Sequence, residues 1–151
     1  MSPRLKGQNP RPWAGFFSLP TLVGHLLSLS GLAIGVYFLT SGHHLPLAAS
    51  LATYLAATLL DDLSTFIALS KLCFGEGNPL VNFALSRFGL GVKGFLVAEV
   101  LLLLPLAILF LISSGSPEER LAIALTAATF YRLGGFLNNA WLALLFWRKG
   151  C

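Results

Sequence analysis

The chain has 151 residues, of which 56% are hydrophobic and only 11% charged, and its mean hydropathy is +0.78. Soluble domains carry about 25% charged residues, so a water-soluble globular fold is excluded and an integral membrane protein is expected. The net charge of +4 arises from ten basic and six acidic residues. These form neither a concentrated basic patch nor a known nucleic-acid module, so nucleic acid is not an expected partner.

A hydrocarbon core about 30 Å thick takes about 20 helical residues to cross. Four apolar runs suffice, at about 14–40, 47–70, 94–113 and 121–147. The first follows "MSPRLKGQNPRPW" but is too long for a signal-peptide apolar region and lacks a small-residue cleavage pattern, so it reads as a retained helix. Arg4, Lys6 and Arg11 precede it, no Lys or Arg separates the first two runs, and Lys71, Arg87 and Lys93 surround the next connection. The third connection has only Arg120 beside Glu118 and Glu119, while Arg148 and Lys149 follow the last run. This alternation predicts a multi-pass protein of the cell membrane with both termini cytoplasmic, held there against anionic lipid headgroups. Cys73 and Cys151 fall on that side without metal-type companions.

Along the first run, Gly24, Ser28, Gly31 and Gly35 form a small-residue stripe that suits close helix packing. His25 on the same run reads as a hydrogen-bonded membrane histidine, and His43 and His44 as residues of an exposed turn. The second run contains Asp61 and Asp62 side by side. Each charged Asp near a helix centre costs about 2.5–3.5 kcal/mol to insert, whereas a strongly apolar residue returns about 0.3–0.6. The eight such residues of this run therefore do not offset the pair. At least one aspartate has to be protonated, paired or bound to a cation.

Between the second and third runs lies "GEGNPLVNFALSRFGLGVKG". Asn78 followed by Pro79 is a helix start, because Asn caps free amides and Pro fits the first turn. Leu80, Phe83, Ala84 and Phe88 then recur on one side, with Asn82, Ser86 and Arg87 on the other. That pattern predicts a short amphipathic helix at about 79–88, interfacial or re-entrant. Glu76 just before it suits the positive end of the helix dipole, as a capping or a binding group.

The third run carries Glu99, and the fourth carries Tyr131, Arg132, Gly134, Gly135, Asn138 and Asn139. At 1.5 Å per residue, Asp61 lies about 21 Å from Leu47, Arg132 about 18 Å from Arg120, and Glu99 about 9 Å from Lys93 at the opposite edge. These depths nearly coincide within a core of about 30 Å. Adjacent helical residues point about 100° apart, so Asp61 and Asp62 are expected to face different neighbours, with Asp61 aligned with Thr65. An arginine lock needs only one carboxylate, and the excess argues for an ion, proton or solute site.

On "DDLSTF" and "GEGNPLVN" the chain resembles a family of small, uncharacterised prokaryotic polytopic membrane proteins. These pair an Asp-x-x-x-Thr helix with a Gly-x-Glu-x-Asn-Pro loop. Asp61, Thr65, Gly75 or Gly77, Glu76, Asn78 and Pro79 would correspond. The resemblance implies that these polar residues belong to one recurrent unit, and it carries no activity with it.

The expected architecture is an all-α, single-domain membrane four-helix bundle over 1–151, with the short helix between its second and third spans. The expected function is cation- or proton-linked handling of a small solute. Asp61, Asp62, Thr65, Glu76, Asn78, Glu99, Arg132, Asn138 and Asn139 are the candidate binding residues, with a cation held by carboxylates as the conceivable cofactor. No catalytic motif is present, although a metal-dependent enzyme acting on a lipid and an assembly subunit of a larger complex remain alternatives. Four spans are few for a carrier, so a homo-oligomer or membrane-protein partners are expected.

Overall fold

The computed structural model describes residues 19–71 and 78–146, and the described residues are all-helical with no strand. Five helices follow in order: α1 (Leu19–Ser41), α2 (Leu47–Lys71), α3 (Pro79–Phe88), α4 (Val92–Ile112) and α5 (Pro117–Phe146). Three are long and apolar enough to cross a membrane, over Leu22–Ser41, Leu47–Ser70 and Val92–Ile112. The protein is therefore a membrane protein. Its exterior agrees, since Leu59 on α2 and Leu104 on α4 are 71% and 64% exposed and only a hydrocarbon solvent makes that favourable.

Helix α5 organises the rest. It packs extensively against α1 and α2 and less so against α4, whereas α3 packs against α4. Its first half holds the most enclosed stretch of the described residues, from Ala122 through Ala127, with Thr126 among them and Thr129 buried just beyond. Such an enclosed helix can carry polar residues without presenting them to lipid.

Glycine decides the α1–α5 contact. A Cβ on Gly31 would lie 2.5 Å from the Phe130 carbonyl oxygen and 2.8 Å from Gly134 Cα, and one on Gly35 would lie 2.8 Å from the Ala127 carbonyl oxygen. The two backbones touch directly, which gains dispersion and Cα–H···O contacts in a solvent that supplies no hydrophobic drive. One turn further on, Phe38 stacks on Phe130 with centroids 5.0 Å apart.

Helix α3 begins where its sequence indicates. Asn78 is its N-cap, with Oδ1 accepting from the Leu80 and Val81 amides at 3.0 and 3.5 Å, and Pro79 takes the first helical position. The buried face differs from the expected one. Val81, Ala84 and Leu85 pack against Ala98 and Leu102 of α4, while Phe83 stands 58% exposed beside Asn82, Ser86 and Arg87. Ala84 belongs to two competing apolar faces of this short helix, and contact with α4 selects the one completed by Val81 and Leu85 over the one completed by Phe83 and Phe88. Gly89 then turns the chain with φ +89°, a conformation that disfavours side chains.

The last helix was expected from about 121 and starts at Pro117. Its signal is "SPEE", a capping box with proline at the first helical position. The Glu119 amide donates to Ser116 Oγ at 3.3 Å, and the Ser116 amide donates to Glu119 Oε2 at 2.7 Å. The bond from the Ser116 amide first, and then one from the Ser116 hydroxyl, hold the exposed Glu119 carboxyl below its ordinary pKa of 4.5. A depressed carboxyl stabilises the fold above its ordinary pKa, and that contribution disappears as pH falls through the lowered value. Ser116→Ala should cost about 1 kcal/mol, read as faster amide exchange in the first turn of α5. Glu119→Gln should remove the acid dependence of that exchange.

Candidate functional site

The α2–α5 interface is a seam of polar side chains. The α2 stripe of Ser50, Tyr54, Thr58, Asp61 and Thr65 recurs every three or four residues, so it stays on one face. Near one end, Ser50 donates to the Leu45 carbonyl at 3.0 Å and shares a 3.1 Å bond with Thr126 Oγ1. Because the single Ser50 proton is committed to Leu45, Thr126 is the donor in the shared bond. Toward the other end, Asn139 Nδ2 donates to both Ser64 Oγ at 3.2 Å and Thr65 Oγ1 at 3.0 Å. Ser64 in turn donates to the Asp61 carbonyl at 2.8 Å.

Arg132 lies between these rungs, only 5% exposed. Its Nη2 donates to both Glu99 carboxylate oxygens at 2.6 Å, joining α5 to α4. Its Nη1 donates to Asp61 Oδ2 at 3.2 Å and lies 3.8 Å from Asp62 Oδ1, joining α5 to α2. The residues counted to one depth are thus in contact. The two aspartates do not face different neighbours, however. A planar guanidinium is wide enough to straddle adjacent positions, with Asp61 as the shorter contact.

Gly135 makes room for the nearer aspartate, since a Cβ there would lie 2.8 Å from Asp61 Oδ1. Its partner is a carboxylate. Thr58 Oγ1, one turn from Asp61, is buried and has no hydrogen-bond partner among the described residues. Asn138 turns to α1, where its side chain occupies the space that a Cβ on Gly24 would need.

The other candidates lie apart from this layer or outside the described residues. Asn78 is the α3 cap, and Glu76 falls outside the described residues. Ser50, Thr58, Ser64 and Thr126 were not singled out from sequence, although the three- and four-residue spacing of hydroxyls on α2 was a readable signal.

Chemically, the layer is one permanent cation with three carboxyls around it, side-chain exposures being 6% for Arg132, 16% for Asp61, 27% for Asp62 and 25% for Glu99. The carboxyls point at the guanidinium, and no group of three or more His, Cys, Asp or Glu side chains among the described residues is placed to hold a metal ion. Such an arrangement can hold and exchange protons. Comparison with known proteins found no matching family model, no matching curated protein and no matching solved structure.

Proposed function

We propose that the protein is a four-span membrane protein that handles a small solute in a proton-linked manner, with Asp61, Asp62 and Glu99 as the proton-exchanging groups and Arg132 as their fixed counter-charge. The observation that carries this reading is the three-to-one ratio of carboxyls to guanidinium in one buried layer. Two like charges about 4 Å apart repel by roughly 4 kcal/mol at an effective dielectric near 20, so a fully ionised layer is unfavourable and a bound proton relieves it. The buried Thr58 hydroxyl beside the layer suits a water or solute contact.

In this reading α5 is the fourth span. Its 30 residues extend about 45 Å, more than the core requires, and Thr126, Arg132, Asn138 and Asn139 turn toward other helices. Helix α3 lies at the cytoplasmic interface, where exposed Phe83 and Arg87 suit headgroup depth, and both termini are on that side. The chain works as a homo-oligomer or with membrane-protein partners, because four spans alone give little room for alternating access.

Infrared spectroscopy of the reconstituted protein across a pH series tests the proton layer. A protonated-carboxyl band should be present and titrate, and Asp62→Asn and Glu99→Gln should each reduce or shift it. In proteoliposomes carrying an imposed pH gradient, the same substitutions should bring solute entry down to the empty-vesicle rate. An infrared signal identical in wild type and both variants, or entry that they leave unchanged, would end this reading.

A further inference from the structure

Arg132 is also reached from a second side. Helices α1 and α4 flank a cleft of about 280 Å³ floored by α5, with Arg132 among its lining residues. Val36 and Leu39 on α1 and Leu102 and Leu106 on α4 line it, and among the described residues Tyr54, Tyr131 and Arg132 are its only polar lining side chains. None of the three carboxylates borders it. Small-molecule sites hold about 300–1,000 Å³ with few polar groups among apolar walls, so this volume suits one slender chain and a compact head.

We infer that this cleft binds a lipid-soluble, uncharged molecule with a hydrocarbon chain and a hydrogen-bond-accepting carbonyl head, the head meeting Arg132 and the two tyrosines. Three features select that chemistry. The guanidinium offers donors only, and each phenol can donate as well, so the head must accept. The head must be neutral, because three carboxylates already balance Arg132 and an additional charge at this depth is costly to bury.

Depth supplies the third feature. Arg132 lies about 18 Å along α5 from Arg120, far below the headgroup level of a bilayer whose core is about 30 Å thick. A phospholipid headgroup remains at the interface and cannot reach it. A ligand dissolved in the hydrocarbon, such as a quinone or ketone with a long alkyl chain, can enter sideways between α1 and α4. This gives the solute of the proton-linked reading a chemical class and rests on that reading for its purpose, although binding can be measured without proton movement.

The test is photoaffinity labelling of the full chain in nanodiscs with a long-chain alkyl ketone bearing a diazirine on its chain, followed by peptide mapping. Labelling should concentrate on residues 32–39 and 102–109. A benzoquinone carrying a decyl chain should suppress it, and neither decanoate nor decane should. Leu106→Trp, or Val36→Trp from the opposite wall, should abolish it in protein that still elutes as a single species. Tyr131→Phe should weaken competition roughly three- to tenfold, the equivalent of one hydrogen bond. Label spread over lipid-facing sites such as Leu96 and Leu144, or suppression by decane as strong as by the quinone, means that bilayer chains simply fill the cleft and overturns the inference. Equal competition by decanoate overturns the neutral head. Failure of labelling with an intact infrared titration refutes this inference alone, whereas a lost titration with labelling intact refutes only the proton reading.

Discussion

Arg132→Leu is expected to be among the most damaging substitutions in the protein, costing about 3–5 kcal/mol, the usual result of stripping one partner from a buried ion pair. The guanidinium provides both 2.6 Å bonds to Glu99, the 3.2 Å bond to Asp61 and the 3.8 Å ion pair to Asp62. Removing it leaves three carboxyls facing one another with no cation. Unfolding in detergent, followed by circular dichroism, provides the measurement. Asp62→Asn should cost least, because its contact is the longest and its side chain the most exposed of the three. Combining Arg132→Leu with Glu99→Gln and Asp61→Asn should recover part of the loss, and the size of that coupling measures the layer directly. Arg132→Lys should fail to rescue fully, since an ammonium cannot straddle α2 and α4 with parallel bonds. A cost below about 1 kcal/mol for Arg132→Leu would place the cluster among weak surface pairs and contradict its burial.

Gly31→Leu is expected to separate α1 from α5, at a cost of about 3 kcal/mol or more. A side chain at this position meets the Phe130 carbonyl and the Gly134 backbone, neither of which can rotate away. The helices must move apart, and the Phe38–Phe130 stack at 5.0 Å has to open. Loss of near-ultraviolet dichroism together with a lowered unfolding midpoint is the expected observation. Gly24→Ala is the informative comparison. Its Cβ meets the Asn138 side chain, which can swing aside, and Trp141 Cδ1 at an ordinary 3.8 Å, so the change should be mild. Wild-type stability in Gly31→Leu would refute direct backbone contact as the basis of this interface.

Much of the scaffold was legible because it depends on local chemistry. The Asn78-Pro79 pair carries its own capping geometry, and α3 begins there regardless of what surrounds it. The "SPEE" box starts α5 in the same way, but it is polar and so lies ahead of the apolar run that marks the rest of the helix. The small-residue stripe on α1 announces close packing through volume alone. The meeting of Asp61, Glu99 and Arg132 was foreseeable for a related reason, since helical rise is constant and depth can be counted.

Rotation about each helix axis could not be counted in this way. Nothing in the pair Asp61-Asp62 says that one guanidinium will reach both, and nothing in Asn138-Asn139 says that the first turns to Gly24 and the second to Ser64 and Thr65. The buried face of α3 was misread because two apolar faces were available and α4 chose between them. The central position of α5 and the cleft between α1 and α4 were likewise invisible in the chain. Rise, capping and residue volume are properties of short segments, so the amino-acid order determines them. Azimuth and tilt minimise the packing energy of several helices at once, and only the assembled bundle settles which polar groups meet.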